Sequence, residues 1–163
     1  MPELIEQESV DEKQLLEESV DYFVSFVQMF GLQKSVGQIY GMLFVTEEPV
    51  TMDRIISVLG ISKGSASQGL ALLKSLGAVT SHSIEGDRRE HFEADLNVSR
   101  IVTHFFEERL TPRLSHGDQK LERMLRLADV EGKGSSPIMG RLQALKKWQN
   151  RGRSLIPRLL KWL

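Results

Sequence analysis

The sequence predicts a mainly α-helical protein that carries one small β-hairpin. Over residues 10–44 and 101–148 apolar side chains recur at three- and four-residue steps, which lines one stripe of a helix. Two short helical stretches, 51–60 and 62–77, follow each other with only Ile61 between them. Then Glu85-Gly86-Asp87 sets a tight turn between two short β-prone runs.

Taken in order, residues 1–9 are polar and terminal, and are expected to be loose. From Val10 to Phe30, the positions Leu16, Val20, Phe23, Val27 and Phe30 form one helix face, and Gly31 is its stop. That face is rich enough in apolar bulk to be buried against a partner subunit as well as its own domain. The next helix has Ser35 as its N-cap and Val36, Ile39, Tyr40, Leu43 and Phe44 as its apolar face. Gly37 and Gly41 lie four apart within it. Each costs roughly 1 kcal/mol against Ala, so a close approach of another helix backbone is expected there. Pro49 breaks that helix.

Thr51 caps a short helix that buries Ile55, Ile56 and Leu59 and closes on Gly60. Ser62 caps the next, which points Leu70, Leu73 and Leu76 inward and ends on Gly77. Val79, Ile84 and Phe92 mark the two strands of the hairpin. The order helix, turn, helix, hairpin is that of a winged helix-turn-helix. From Asn97 the helical pattern resumes through Ile101, Phe105 and Leu110, with Pro112 expected to interrupt it. It continues through Leu121, Met124 and Leu125 to a flexible break at residues 132–137. Ser136-Pro137 then opens a last helix bearing Leu142, Leu145 and Trp148, whose end Gly152 and Pro157 should divide. The expected organisation is an acidic dimerisation helix (1–30), a winged helix-turn-helix (31–96) and a C-terminal helical dimerisation region (97–163).

The 163 residues hold 40% hydrophobic residues and no cysteine, so a packed core is affordable while disulfides and thiolate metal sites are excluded. No apolar run approaches the ~20 residues of a membrane span, and the N-terminus has no signal-peptide core. A cytoplasmic location is therefore expected. The net charge of −1 hides an uneven distribution. Residues 1–30 carry eight acids against the single base Lys13, while residues 93–163 carry fourteen bases against eight acids. The two ends are thus expected to pack together, within or between subunits. The segment from Arg141 to Leu163 has seven bases and no acid. Packing on the acidic first helix is the favoured role for it, ahead of contact with DNA flanks or an anionic surface.

The chemistry lies in residues 51–93. A helix that reads the major groove needs short polar or basic side chains outward on its first turns and apolar anchors inward. Ser62, Lys63, Ser65, Ser67 and Gln68 supply the first and Leu70 and Leu73 the second. Gln68 can bond adenine in bidentate fashion, and Lys63 can reach phosphate or guanine. Gly64 and Gly69 are expected to leave room for DNA. Beyond the turn, Arg88 and Arg89 suit a minor-groove or phosphate clamp, with Asp87 orienting one of them.

Three separated motifs, GLQKSVGQIYGML, LGISKGSASQGLALLKSLGAV and GDRREHFEA, make residues 20–96 resemble the MarR superfamily of winged-helix regulators, and within it the GbsR-type branch. The resemblance implies a homodimer with interlocked terminal helices and two winged helices on a pseudo-palindromic operator. By position it implies base or phosphate contacts from Ser62, Lys63, Ser65, Ser67 and Gln68, a wing clamp from Arg88 and Arg89, and backbone contacts from Lys34 and Ser35. Ala66 departs from the Val or Thr common in relatives, which bears on specificity there. Relatives of this branch include regulators that respond to choline or glycine betaine, so the resemblance further implies a possible quaternary ammonium effector held by aromatic faces, with no residues assigned.

No catalytic motif is present: no HExxH, GxSxG, Walker-type loop or GxGxxG. The four histidines are scattered, and His82 and His91, which could face each other across the hairpin, make a poor metal site alone. No enzyme, cofactor or metal is expected. The expected function is a sequence-specific double-stranded DNA-binding transcriptional regulator, in the sense of a repressor. The competing reading is a winged-helix module that contacts protein or membrane instead.

Overall fold

In the computed structural model, which describes residues 2–129 and 137–160, the opening segment is helical from its first turn. Helix α1 spans Pro2–Met29, so residues 2–9 extend the helix rather than lying loose. Proline suits a first helical turn, and the Glu, Leu and Gln that follow are strong helix formers. Gly31, at φ +69, ends α1 as expected. The amide of Leu32 donates to Val27 and that of Gly31 to Gln28, at 3.2 and 3.0 Å, closing a Schellman cap.

Helix α2, Lys34–Phe44, lies along α1. Its N-cap is Gln33, without a side-chain bond, and not Ser35. A Cβ built on Gly37 would stand 2.6 Å from the Phe23 carbonyl oxygen and the Val24 Cα. One on Gly41 would stand 2.8 Å from the Ser19 oxygen and the Val20 Cα. The two glycines therefore let α1 and α2 touch backbone to backbone, as their spacing implied. Ser19 donates its hydroxyl to the Gly41 carbonyl at 2.8 Å across this seam. Just beside it the Phe23 ring meets Tyr40 edge-on, with centroids 4.8 Å apart, and tilts against Phe44 at 5.0 Å. α2 stops at Phe44, short of Pro49, with the Thr46 hydroxyl donating back to the Met42 carbonyl at 2.7 Å.

The other side of α2 carries the centre of the core. Val36, Ile39 and Ile55 are its most enclosed large side chains. Helix α3, Met52–Leu59, is capped by the Thr51 hydroxyl accepting from the Arg54 amide and closes on Gly60 at φ +62. Helix α4, Lys63–Ser75, is capped by Ser62 and ends in a second Schellman turn at Gly77. Strands β2, Val79–Ser83, and β3, Glu90–Ala94, form the hairpin. Sequence reading missed a third strand, β1, Val50–Thr51, which pairs antiparallel with β3 to give the order β1-β3-β2. At two residues its alternation is too short to stand out, and Pro49 before it argued for a break. The register sets Ser81 opposite Phe92 and His82 opposite His91. Tyr40 crosses to this unit's far end, donating to the Asp95 carbonyl at 2.7 Å, and burial pushes its phenol up to about 12.

Two compact units result, Met1–Ile101 and Val102–Leu163. Helix α5, Val98–Phe105, runs into a π-helical turn at Phe106–Leu110 before α6, Thr111–Ala128. The irregular turn marks the interruption expected at Pro112, which sits in the first turn of α6 where its missing amide costs nothing. Within the second unit α7, Pro137–Leu160, packs on α6 and buries Met139 and Leu142. It passes Gly152 and Pro157 without a break. Gln149 and Arg153 both bind Asp118 of α6 and hold the helix on either side of Gly152. Lys146 pairs with Glu122, whose carboxyl that hydrogen bond lowers. The basic last helix thus finds counter-charges on α6 within its own unit. Ser136 and Trp162 lie outside the described residues. No helix among the described residues is long and apolar enough to cross a membrane.

If the α1–α2 seam is as close as described, Gly37→Ala or Gly41→Ala should each destabilise the protein by roughly 1–3 kcal/mol through overpacking. Gly64→Ala, with nothing nearer than 3.9 Å to its Cβ, should be neutral or stabilising by up to about 1 kcal/mol. Urea unfolding midpoints of the three variants check this ordering.

Candidate nucleic-acid interface

Helix α4 has one face fixed by packing. Ala66, Gly69, Leu70 and Leu73 are buried, and a Cβ on Gly69 would stand 2.6 Å from the Ile39 Cδ1. Gly69 is therefore a packing residue of the α2–α4 contact and leaves no room for DNA, against expectation. Ala66 is fully enclosed as well, so it belongs to the core and has no direct part in base preference. A larger Val or Thr there would have to find room within the packed core.

With that face inward, Lys63, Gly64, Ser67, Gln68 and Ala71 are exposed. Ser62 and Ser65 are partly committed to local structure. The Ser62 hydroxyl accepts from the Ser65 amide at 3.1 Å and donates to the Ser65 hydroxyl at 3.0 Å. They order the N-terminus of α4, where the helix dipole favours a phosphate. Of the two residues opening α2, Lys34 is exposed, but Ser35 is buried beneath α4, with its backbone against Gly69. Ser35 is thereby withdrawn from a phosphate role. Its place one residue inside the helix, on the α4-facing side, puts it in the core.

The hairpin tip is built on a turn in which the Asp87 amide donates to the Ile84 carbonyl at 3.0 Å, with Gly86 at φ +87. That φ is open to glycine and strained for other residues. Asp87 then grips Arg89. Its Oδ1 accepts from the Arg89 amide and Nε, both at 3.0 Å, and its Oδ2 accepts from Nη2 at 2.6 Å. These hydrogen bonds hold the Asp87 carboxyl well below the usual carboxylate range and raise the Arg89 guanidinium. His91 completes the arrangement. It is buried, contacts the Arg89 carbonyl oxygen through Nδ1 at 3.1 Å, and places Nε2 3.6 Å from the Asp87 carboxylate.

The two wing arginines are consequently unlike. Arg89 is a braced part of the wing, whereas Arg88 is exposed with no hydrogen-bond or ion-pair partner among the described residues. Lys74, the remaining base of α4, is paired with Glu90 and lies 5.7 Å from the Phe92 ring centroid, tying α4 to β3. His82 pairs in register with His91 across the hairpin, as the sequence allowed, and bonds Glu93 at 2.8 Å. No group of three or more His, Cys, Asp or Glu among the described residues is placed to hold a metal ion.

Elsewhere in the first unit, α1 and the end of α2 border an open groove of about 510 Å³. Tyr22, Phe23, Phe26 and Phe44 line it, with Glu18 and Ser19 among its other lining residues. Its surface is overwhelmingly apolar and aromatic.

Comparison with known proteins agrees with this geometry. Over 87 residues the chain is 30% identical to the HTH-type transcriptional repressor GbsR of Bacillus subtilis (strain 168), a match covering 53% of this chain and 48% of that protein. The chain therefore spans about half the length of the curated relative it matches. Its fold is similar to a crystal structure of a transcriptional regulator, with a TM-score of 0.52 at 20% identity over 93% of this chain and 96% of that one. A looser likeness, TM-score 0.39 at 17% identity, covers 75% of this chain and 98% of MepR in the S. aureus MepR–DNA complex. No family model matches the chain. The fold is a winged helix-turn-helix, and the sequence resembles the GbsR-type branch of the MarR superfamily, as its motifs indicated.

The bracing of Arg89 makes a direct prediction. A carboxylate with a depressed pKa keeps its contribution above its ordinary titration range and loses it only as pH falls through the lowered value. The Asp87 carboxylate should therefore stay ionised on acidification to pH 4, with its carboxyl carbon signal unshifted, and the Arg89 Nε–H signal should stay in place with it. NMR titration of both groups is the check, and a midpoint for Asp87 near 4 would contradict the grip.

Proposed function

We propose that the chain is a non-enzymatic, sequence-specific double-stranded DNA-binding transcriptional regulator, acting in the cytoplasm as a repressor. One observation supports this above the others. The outward face of α4 is polar, small and unobstructed, and it stands in the same unit as a wing whose tip presents the uncommitted Arg88. The likeness to a protein named as a transcriptional repressor supports the same reading.

In this reading α4 enters the major groove, with Gln68 and Ser67 at base edges and Lys63, Ser62 and Ser65 at the phosphates around the helix start. Arg88 takes a backbone phosphate or the minor groove from the wing, and Lys34 a phosphate at the flank. The protein acts as a homodimer through its terminal helices, α1 and the C-terminal region. Two recognition helices then meet successive major grooves of a pseudo-palindromic operator, ~34 Å apart. Dimerisation matters energetically because residues 31–92 carry six bases and six acids. One copy alone has little net attraction for DNA, so two must share the cost of association.

For a small-molecule effector, the aromatic groove of the first unit is the place of choice. Tyr22, Phe26 and Phe44, all lining it, are the residue types that attract a quaternary ammonium group, and Glu18 among the lining residues carries a negative charge. A ligand there lies against α1, the helix assigned to dimerisation, and would bias the spacing of the two DNA-reading units.

Selection from random duplexes should recover a pseudo-palindrome, and recovery of no motif would remove the reading. On the recovered site, Arg88→Ala should weaken binding across all sequences and reduce the salt slope by about one phosphate's worth. Arg89→Ala should act differently, loosening the wing and altering the thermal melt as well as affinity. Choline added to the complex should release DNA, and Phe26→Ala should shift the half-maximal choline concentration upward roughly 2–30-fold, the span of a cation–π contact.

A further inference from the structure

Tyr40 is buried, and its ring touches two residues that line the aromatic groove. It meets Phe23 edge-on at 4.8 Å between centroids and tilts against Phe44 at 5.9 Å. From there the side chain reaches the root of the wing, where its hydroxyl donates to the Asp95 carbonyl at 2.7 Å. Asp95 follows directly on β3, and its amide donates to the Ala78 carbonyl at 2.9 Å, closing the open end of the hairpin. Ala78 in turn donates its own amide to the Leu73 carbonyl at 2.9 Å, so the last turn of α4 and the wing meet at this one residue. The Asp95 carboxylate accepts from the Asn97 amide at 2.8 Å and pairs with Arg100, ordering the entry to α5. Val98, the first residue of α5, itself lines the groove. All of these residues belong to the first unit.

We propose that Tyr40 is the positioning residue through which an occupied groove acts on the wing. A ligand against Phe23 and Phe44 shifts the Tyr40 ring, and the hydroxyl then loosens its hold on Asp95 at the wing root. This rests on the reading of the groove as an effector site and adds how that site reaches the DNA-facing surface. The hydroxyl lies at the far end of a rigid ring, where a tilt imposed at the ring face has its largest displacement. A hydrogen bond weakens steeply with angle and is gone by about 3.6 Å, so a small motion in the groove is enough. Titration does not compete with this control, because burial pushes the phenol up to about 12 and it keeps its proton throughout the neutral range. Once Tyr40 lets go, the part-buried Asp95 carbonyl lacks its donor, and an unpaired buried acceptor is costly. The root then relaxes, and Arg88 at the far end of the same hairpin loses the direction that the root had set.

The test uses the full-length protein, the duplex recovered by selection, and choline as the probe. Calorimetry gives the choline Kd of the free protein and of its DNA complex. The ratio of the two is the coupling, the same factor by which choline weakens DNA binding. Tyr40→Phe keeps the ring and removes only the hydroxyl. It should bind choline within about twofold of the parent protein, while the coupling ratio falls about fivefold, the worth of one hydrogen bond. A brace with no part in the coupling would instead lower DNA affinity equally with and without choline. That unchanged ratio overturns the proposal. Amide NMR supplies a readout that needs no ligand. Phe44→Leu, a change on the groove wall, should shift the Asp95 and Ala78 amides in the parent protein and fail to shift them in the Tyr40→Phe background. Equal shifts in both backgrounds overturn the proposal, and thermal melts confirm that the variants fold. If choline does not bind the parent protein, the quaternary ammonium reading fails, and the Phe44→Leu comparison still decides the role of Tyr40.

Discussion

Everything in the first unit depends on how closely α1 and α2 approach. The backbone contact at Gly37 and Gly41 leaves no space for a side chain between the helices, so α2 has one position along α1. The opposite face of α2 then becomes the platform for α4, through Ile39 set into the notch at Gly69. Two successive contacts without slack, each licensed by glycine, transmit the placement of α1 to α4. The weak helix propensity of those glycines, about 1 kcal/mol each, is offset by the packing they allow. A displacement of α1 thus has a short mechanical route to α4. An aromatic groove on α1 is well sited to use that route.

The wing follows a separate logic. It is fixed by charge where the helices are fixed by packing. Asp87 does not meet DNA in this account; it is the reason Arg89 has a defined direction. Holding one arginine of a neighbouring pair and leaving the other exposed turns a dipeptide into two parts with different tasks. The exposed Arg88 keeps its side-chain conformational freedom. Arg89, pre-organised by its bonds to Asp87, gives the tip a shape before any partner arrives. Buried His91, touching both the Arg89 carbonyl and the Asp87 carboxylate, links this tip to the sheet.

Most of the architecture was legible in the sequence because its punctuation is chemical. Gly31, Gly60, Gly77 and Gly86 all take positive φ. Each stood where the apolar periodicity stopped or a turn was needed. Thr51 and Ser62 cap the helices they precede for the same kind of reason. What escaped was whatever depends on which face a small residue occupies. Gly64 and Gly69 look alike in sequence, yet a Cβ on the first would meet only the Ser62 hydroxyl, at 3.9 Å, while the second is packed against Ile39. Ser35 reads as a cap and sits in the core. Strand β1 is visible only through its pairing with β3. The pairing of the basic last helix with Glu122 and Asp118 had no signal in a segmental charge sum, because the carboxylates of α6 are interspersed with bases.

The central claim is that the outward face of α4 and the tip of the wing form one DNA-reading surface. A photo-crosslinking side chain placed at position 68 or at position 88 tests it most directly, with the protein bound to its selected duplex. The account predicts that position 68 crosslinks to a base in the major groove of each half-site. Position 88 should crosslink to the sugar–phosphate backbone or minor groove beside it. Tight binding with crosslinks from neither position would contradict it.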